Sequence, residues 1–132
     1  MGVPRLFRLI QPVEDIETAA AFYRQVLGAP GERIAANRHY FECGGVVLAC
    51  VEAPMEHREP RALRDPRIVY LTVEDVDATF QLVRLASPRR IDDAIATQFW
   101  GERSFYAEDP FGNPLCFVQD GTEFTGGPLP RP

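Results

Sequence analysis

The chain has 132 residues, of which 45% are hydrophobic and 25% are charged, and this length allows one ordinary domain or two small fused units. Its 19 acidic residues outnumber its 14 basic residues. The net charge of −5 argues against nucleic acid or an anionic membrane as a partner, because counterion-driven binding needs a basic surface. The apolar content excludes a disordered chain, and the 12 prolines and 10 glycines exclude a coiled coil.

The lack of long apolar runs and the number of cysteines both favour a cytoplasmic protein. The sequence lacks an apolar stretch of about 18 residues, and its first residues lack the apolar run of a signal peptide, so we expect a cytoplasmic protein without a membrane span. The cysteines Cys43, Cys50 and Cys116 are odd in number, and their spacing fits no zinc motif. We therefore expect them to be small buried side chains rather than disulfide partners.

The first elements along the chain form a pattern that returns later. A strand-like run precedes the segment VEDIE at 13–17, and another precedes VEDVD at 73–77, 60 residues further on. Each segment opens a helical pattern, with apolar residues at intervals of three and four. Asp15 and Asp75 stand where a helix N-cap accepts hydrogen bonds from backbone N–H groups, and Gly28 stands where the first helix ends.

A predicted β-hairpin follows each helix, and one more extended stretch precedes each hairpin. The order is therefore β-α-β-β-β, written twice. Strands are predicted at 6–10, 32–36, 38–43 and 46–51 in the first copy, and at 68–72, 90–97, 104–108 and 114–118 in the second. We predict one domain over 1–120, divided into module one at about 5–52, a linker at 53–66 and module two at about 67–120. The Gly/Pro-rich tail at 121–132 is expected to be an arm or disordered.

A single copy of about 50 residues cannot bury both faces of its sheet. A helix covers one face, and the other face requires the second copy or a partner chain. The predicted fold class is therefore α+β, with two βαβββ modules, each a four-stranded mixed sheet with a helix. Together they are expected to form an open, barrel-like cleft, and clefts of this kind are where ligands bind.

This pattern resembles the vicinal oxygen chelate superfamily, which includes glyoxalase I, extradiol dioxygenases, fosfomycin-resistance enzymes and bleomycin-binding proteins. The resemblance covers roughly residues 5–120. It is carried by the helix with Asp15, Phe22-Tyr23 and Leu27-Gly28, by the segment WGER at 100–103, and by the turn DPFGN at 109–113. The resemblance is a strong indication of fold and a weak indication of activity, because the superfamily supports many chemistries.

The metal-dependent members of this superfamily place a histidine on the first strand and a carboxylate on the last strand of each module. The matching positions here hold Arg8, Val47 or its neighbour, Ile68 and Cys116. None of these is a histidine, aspartate or glutamate, whereas a divalent ion with octahedral preference needs oxygen or imidazole donors. We therefore predict no metal site and no cofactor.

Alternation along the strands predicts which side chains line the cleft. Arg8 would hold a ligand oxygen through its planar fork, unless it pairs with a carboxylate at the sheet edge. Trp100 would stack on the ligand, unless it packs against the opposite sheet. Glu102 and Arg103 are interpreted first as a surface or inter-module ion pair rather than a catalytic dyad. The predicted ligand-binding residues are Arg8, Val47, Ile68, Tyr70, Trp100, Arg103 and Cys116. No catalytic residue is assigned.

Three classes of function remain. The favoured one is a metal-free protein, similar to glyoxalase and bleomycin-resistance proteins, that binds a small, largely apolar molecule in the cleft. The alternative is a lyase or dioxygenase of the same superfamily with an atypical or absent metal site, and the third is a protein interaction module. Whether the chain is an enzyme is left open. The resemblance also implies a homodimer, since many related proteins complete their clefts by pairing.

Overall fold

The computed structural model describes residues 3, 5–53, 67–125 and 127–130. The chain divides into two compact units, Met1–Arg64 and Asp65–Pro132, and each is described by itself. The predicted linker at 53–66 falls, except for its first residue, outside the described residues. The division lies within that predicted linker and separates the two copies of the sequence pattern.

The first unit is a four-stranded mixed sheet with one helix. The sheet order is β1-β4-β3-β2, in which β1 runs parallel to β4 and the other neighbours are antiparallel. Only the β1–β4 pair is parallel, because the helix provides the crossover that parallel neighbours require. The elements are β1 (Arg8–Val13), α1 (Ile16–Leu27), β2 (Glu32–Ala35), β3 (Arg38–Cys43) and β4 (Val46–Glu52).

The second unit repeats this plan with one change. Its sheet has the order β5-β9-β8-β6, again with the first pair parallel, and the additional strand β7 also pairs with β8. The stretch predicted at 90–97 is therefore two short strands rather than one, and this sheet has five strands rather than four. The elements are β5 (Val69–Val73), α2 (Val76–Leu85), β6 (Arg90–Ile91), β7 (Ala96–Thr97), β8 (Arg103–Glu108) and β9 (Pro114–Gln119). The predicted α+β class with two mixed sheets is confirmed.

Both helices begin at the predicted aspartates, and the last strand of each unit helps to cap them. The N–H of Ile16 donates to Glu52 Oε1 at 2.7 Å, and the N–H of Val76 donates to Gln119 Oε1 at 3.0 Å. Asp75 accepts from the N–H of Ala78 at 3.1 Å, as an N-cap should. The Asp15 side chain instead accepts from the Thr18 hydroxyl, so here the predicted backbone cap is replaced by a bond between side chains.

The helix covers one face of each sheet, and alternation along the strands leaves the other face for a site. In the first unit, Tyr23 of α1 packs on Phe41 of β3, with ring centroids 6.0 Å apart. In the second unit, Phe80 of α2 packs edge-on against Phe105, which stacks on Phe117 at 5.0 Å. These buried residues have odd numbers on β3, β8 and β9, so the even-numbered residues of those strands project from the opposite face.

The DPFGN turn is built around the fully buried carboxylate of Asp109. Its Oδ1 accepts from the N–H groups of Phe111 and Asn113, both at 2.9 Å, and its Oδ2 accepts from Asn113 Nδ2 at 2.8 Å. Gly112 has a φ of +87°, which favours glycine. The motif therefore fixes the β8–β9 turn, which explains why it indicates the fold rather than an activity.

Candidate ligand-binding site

The uncovered face of the second sheet brings two rows of side chains together. Tyr70 of β5 lies opposite Cys116 of β9, which lies opposite Tyr106 of β8. The next row contains Thr72, Val118 and Ser104 in the same strands. Because facing residues on neighbouring strands share a face of the sheet, both rows project away from α2.

A pocket of about 540 Å³ lies over this face, within the range of small-molecule sites. Its wall is mainly apolar and contains four aromatic side chains, which suits a flat apolar ligand. Phe99 and Trp100 form an edge-to-face pair with centroids 4.6 Å apart. All lining residues belong to the second unit: Tyr70, Leu71, Thr72, Phe99, Trp100, Glu102, Val118, Glu123, Phe124 and Leu129.

Glu102 is the buried charge of the pocket, with 8% of its surface exposed. Its Oε1 accepts from the indole Nε1 of Trp100 at 2.7 Å, and its Oε2 accepts from the backbone N–H of Phe124 at 2.8 Å. One carboxylate therefore joins the Trp100 loop to the chain that follows β9. Charge-assisted bonds of this kind are stronger than neutral ones, so this carboxylate fixes the indole of Trp100 and the backbone at Phe124.

The C-terminal tail forms part of this wall. Thr122 accepts from the N–H of Arg103 at 3.2 Å and donates to the carbonyl of Gln119 at 2.7 Å, which holds the start of the tail beside β8. Phe124 and Leu129 then line the pocket. The tail was expected to be an arm or disordered, but over 121–125 and 127–130 it contributes to the site.

The polar groups beneath the pocket are poorly suited to nucleophilic or metal chemistry. Burial raises the pKa of the Cys116 thiol to about 11, so this cysteine is protonated at neutral pH and is a weak nucleophile. The hydroxyls of Tyr70 and Tyr106 are 3.4 Å apart, and this hydrogen bond, with partial burial, raises the pKa of Tyr106. The Cys116 thiol and the Tyr106 hydroxyl therefore stay protonated at neutral pH and can act as hydrogen-bonding partners.

The structure brings together part of the predicted set of site residues. Tyr70 and Trp100 line the pocket, and Cys116 lies beside Tyr70 in the sheet. Ile68 precedes β5 and is 38% exposed.

Arg103, which was also predicted to bind the ligand, donates twice to Asp77 of α2, at 2.8 and 3.0 Å, which places it on the helix side of the sheet. The predicted Glu102–Arg103 ion pair is therefore wrong, because odd and even residues of an extended segment project to opposite faces.

The remaining two predicted residues, Arg8 and Val47, lie opposite each other on β1 and β4 of the first unit. The Arg8 guanidinium carbon lies 5.0 Å from the ring centroid of Phe7 and 5.4 Å from that of Tyr40. Among the described residues, no carboxylate forms an ion pair with Arg8, so this arginine is held by rings rather than by an acid at the sheet edge.

The positions that hold metal in the superfamily do not suit a divalent ion in this chain. Arg8 is a cation, Val47 and Ile68 offer no donor atom, and the raised thiol pKa of Cys116 disfavours the thiolate that a metal would need. Within the described parts of the chain, no group of three or more His, Cys, Asp or Glu side chains could hold a metal ion.

Sequence reasoning missed Phe99, Glu102, Phe124 and Leu129 as site residues. Phe99 directly precedes the predicted Trp100, and the pair comes just before the tight turn at Gly101, whose φ is +95°. Phe124 and Leu129 are isolated apolar residues in a Gly/Pro-rich tail, and such residues could have indicated that the tail packs against the domain. The role of Glu102 depends on a backbone N–H 22 residues away, which no local pattern reveals.

A comparison with protein families identifies a family model that matches most of the chain. The sequence profile of the Glyoxalase/Bleomycin resistance protein/Dioxygenase superfamily matches residues 5–117. No match is found among curated proteins. Neither helix in the described ranges has the length and apolar character needed to cross a membrane.

Solved structures resemble the chain over most of its length. A glyoxalase-related enzyme from Fulvimarina pelagi has a TM-score of 0.75 at 14% identity, over 89% of this chain and 89% of that one. A glyoxalase/bleomycin resistance protein from Albidiferax ferrireducens has a TM-score of 0.72 at 17% identity, over 86% and 98%. A protein of unknown function from Agrobacterium tumefaciens has a TM-score of 0.73 at 25% identity, over 91% and 97%. At identities this low, the likeness concerns the fold.

Proposed function

The chain belongs to the glyoxalase/bleomycin resistance protein/dioxygenase superfamily, and we propose that it acts there as a binding protein for a small, largely apolar molecule, without using a metal ion. The observation that carries this proposal is the pocket of the second unit, with aromatic walls around one buried carboxylate. The superfamily supports many chemistries, so the proposal rests on the site of this chain rather than on its fold.

Aromatic area provides the main binding energy. Tyr70, Phe99, Trp100 and Phe124 present ring surface to the pocket, and apolar area removed from water contributes about 25 cal/mol per Å². Tyr70 and Thr72 supply hydroxyl groups that can orient one polar group of the ligand. With no metal to anchor the ligand, these contacts favour a dissociation constant in roughly the micromolar range.

The lack of a suitable donor set in the described part of the chain supports the metal-free part of the proposal. Enzymes that polarise a substrate oxygen with a metal need an ion held by protein donors, with an open coordination position. Here the matching positions carry a guanidinium, two aliphatic groups and a buried thiol whose pKa is raised. Binding by contact alone is therefore the chemistry that these residues favour.

The test uses 1-aminoanthracene, a flat apolar probe whose fluorescence rises in an apolar site. The full chain should bind it, and Trp100→Ala should weaken binding by at least about tenfold, since stacking and burial at one large ring contribute more than about 1.4 kcal/mol. Phe7→Ala is the matched control, because Phe7 is an exposed aromatic residue of the first unit, and it should change affinity less than twofold. Dialysis against EDTA should leave binding unchanged.

The opposite results would overturn the proposal. Equal binding by the wild type and Trp100→Ala would place the probe elsewhere. Loss of binding after EDTA treatment, restored by Zn²⁺, Mn²⁺, Fe²⁺ or Ni²⁺, would favour the alternative of a metal-dependent lyase or dioxygenase. The homodimer stays a prediction, and light scattering tests it against the 14.8 kDa mass of one chain.

A further inference from the structure

We propose that the uncovered face of the first sheet carries a binding site for an oxyanion, in which Arg8 and Arg38, both held against Tyr40, bind a carboxylate or phosphate group borne by an apolar molecule. This proposal concerns the first unit alone and does not depend on the pocket described above. It rests on the placement of the two guanidinium groups, on their lack of acidic partners among the described residues, and on the apolar surface around them.

One tyrosine positions both guanidinium groups. Arg38 Nη1 donates to the Tyr40 hydroxyl at 3.0 Å, and the guanidinium carbon of Arg8 lies 5.4 Å from the Tyr40 ring centroid. Tyr40 faces Ala49 across the sheet, and Ala49 faces Ile10, so Arg8 reaches Tyr40 over a side chain of one methyl group. The two arginines therefore converge on one ring from different strands, β1 and β3.

Both arginines lack a carboxylate partner among the described residues, although acids outnumber bases in the chain. Glu42 and Glu32 project from the same face, opposite Val47 and Tyr40 respectively. Glu42 Oε1 accepts from the N–H of Gly45 at 2.6 Å, and neither glutamate forms an ion pair with Arg8 or Arg38. In contrast, other described arginines do pair with acids: Arg33 with Glu17, Arg89 with Glu108, Arg90 with Asp92, and Arg103 with Asp77.

The donors that remain suit an oxyanion. A guanidinium has five N–H groups in a fixed fork, and contact with an aromatic ring uses its face and leaves its edge available. Arg38 donates one of its N–H groups to the Tyr40 hydroxyl. Two such forks can each bind two oxygens of a carboxylate or phosphate, and the ligand charge offsets the repulsion between the two cations.

The surroundings favour an anion attached to an apolar body. Ile10 and Phe7 lie half-exposed beside Arg8, and Val47 and Val51 line the same face. A free inorganic ion would leave this apolar surface in water, whereas an aryl or alkyl substituent would cover it. We therefore expect aromatic carboxylates or phosphate esters to bind more tightly than inorganic phosphate.

Calorimetric titration of the full chain at low salt tests the site with benzoate, phenyl phosphate, inorganic phosphate and the uncharged methyl benzoate. Arg8→Met and Arg38→Met should each weaken binding of the preferred oxyanion by about tenfold, because each removes a charge-assisted fork. Arg24→Met is the matched control, since Arg24 is exposed on α1, and it should change affinity less than twofold. The loss of affinity in the two arginine variants should be the same in a Trp100→Ala background, which separates this site from the pocket of the second unit.

A preference for benzoate would assign a carboxylate, a preference for phenyl phosphate would assign a phosphate ester, and equal binding would assign an oxyanion of either kind. In the Trp100→Ala background, binding of methyl benzoate as tight as that of benzoate would overturn the proposal, as would unchanged affinity in both arginine variants or no binding of any anion. Arg8→Lys and Arg38→Lys keep the charge and remove the fork. They should bind more weakly than the wild type and more tightly than the methionine variants, with thermal unfolding confirming that each variant is folded.

Discussion

The two units share one backbone plan, but their helix-facing cores are chemically different. In the first unit, the buried Gln11 Nε2 donates to the Tyr23 hydroxyl at 2.9 Å. The positions 60 residues later are Leu71 and Val83, which carry no polar side-chain atom. The shared backbone fold therefore depends on helix caps, turns and apolar periodicity. It tolerates either a hydrogen-bonded core or an apolar one, provided that buried polar groups are paired.

Side-chain volume is also distributed differently between the two helices. The first helix has a small residue at Ala20 and a large one at Tyr23, whereas the second has the large residue at Phe80 and the smaller one at Val83. All four side chains are buried. The large side chain therefore stands at the later of the two positions in the first helix and at the earlier one in the second. Protein cores tolerate such exchanges when the total side-chain volume is kept.

The uncovered faces differ more than the cores do. The first sheet presents two arginines around Tyr40, and the second presents an aromatic pocket around the carboxylate of Glu102. A duplicated framework can therefore carry unlike binding chemistry in its two halves, because the residues on the uncovered face do not determine the fold.

The largest expected effect tests the apolar core of the second unit. Phe105 is fully buried between Phe80 and Phe117, at 5.0 Å from each ring centroid. Phe105→Ala should lower the free energy of unfolding by about 3–5 kcal/mol, because it removes a buried ring and leaves a cavity. Urea denaturation followed by circular dichroism measures this loss, and a change below about 1 kcal/mol would show that these stacked rings are not the centre of the core.

The next effect concerns the carboxylate that joins the pocket wall. Glu102→Gln keeps the shape but leaves only one side-chain oxygen for the two donors, Trp100 Nε1 and the N–H of Phe124. We expect a loss of about 2 kcal/mol in unfolding free energy and weaker binding of 1-aminoanthracene, because a buried donor loses a charged partner. Glu123→Gln, an exposed control in the same pocket, should change neither property. Equal behaviour of the two variants would contradict this role of Glu102.

A smaller effect sharpens the comparison of the two cores. Tyr23→Phe removes the acceptor of the Gln11 amide and should lower the free energy of unfolding by about 1 kcal/mol, because a buried uncharged donor is left unsatisfied. The double variant with Gln11→Leu, which makes these two positions apolar as in the second unit, should be more stable than the sum of the single changes predicts. Strict additivity in a double-mutant cycle would mean that the two side chains are not coupled.

The smallest effect is a pH dependence at the surface. The hydrogen bonds from Arg103 hold the pKa of Asp77 below its usual value. The stability from this pair is therefore present above the unfolded pKa of Asp77 and is lost as pH falls through the lower folded pKa. Between neutral pH and about pH 3, the urea midpoint of Asp77→Asn should fall slightly less than that of the wild type, because the variant has no Asp77 carboxylate to protonate. An unchanged pH profile would show that this exposed pair is screened by solvent.

Much of the fold followed from local signals, whereas the site followed only in part. Asp15, Asp75 and Gly28 marked helix ends because capping depends on neighbouring backbone groups, and Gly28 indeed has the left-handed φ of +70°. Tyr70 and Trp100, which line the pocket, were predicted from strand alternation and from a lone tryptophan, and their role in binding stays a prediction. The contacts of Arg103 with Asp77 and of Glu102 with the N–H of Phe124 were not predicted, because these partners come from distant segments of the chain.

The most direct test of the central claim is the indole N–H signal of Trp100 in a ¹H–¹⁵N spectrum of the full chain. The sequence has one tryptophan, so this signal reports on the pocket without ambiguity. Titration with 1-aminoanthracene should shift it progressively to saturation, at the same concentrations that raise the fluorescence of the probe. An indole signal that stays in place while the probe binds would contradict the account, because the ligand would then occupy a site other than the aromatic pocket of the second unit.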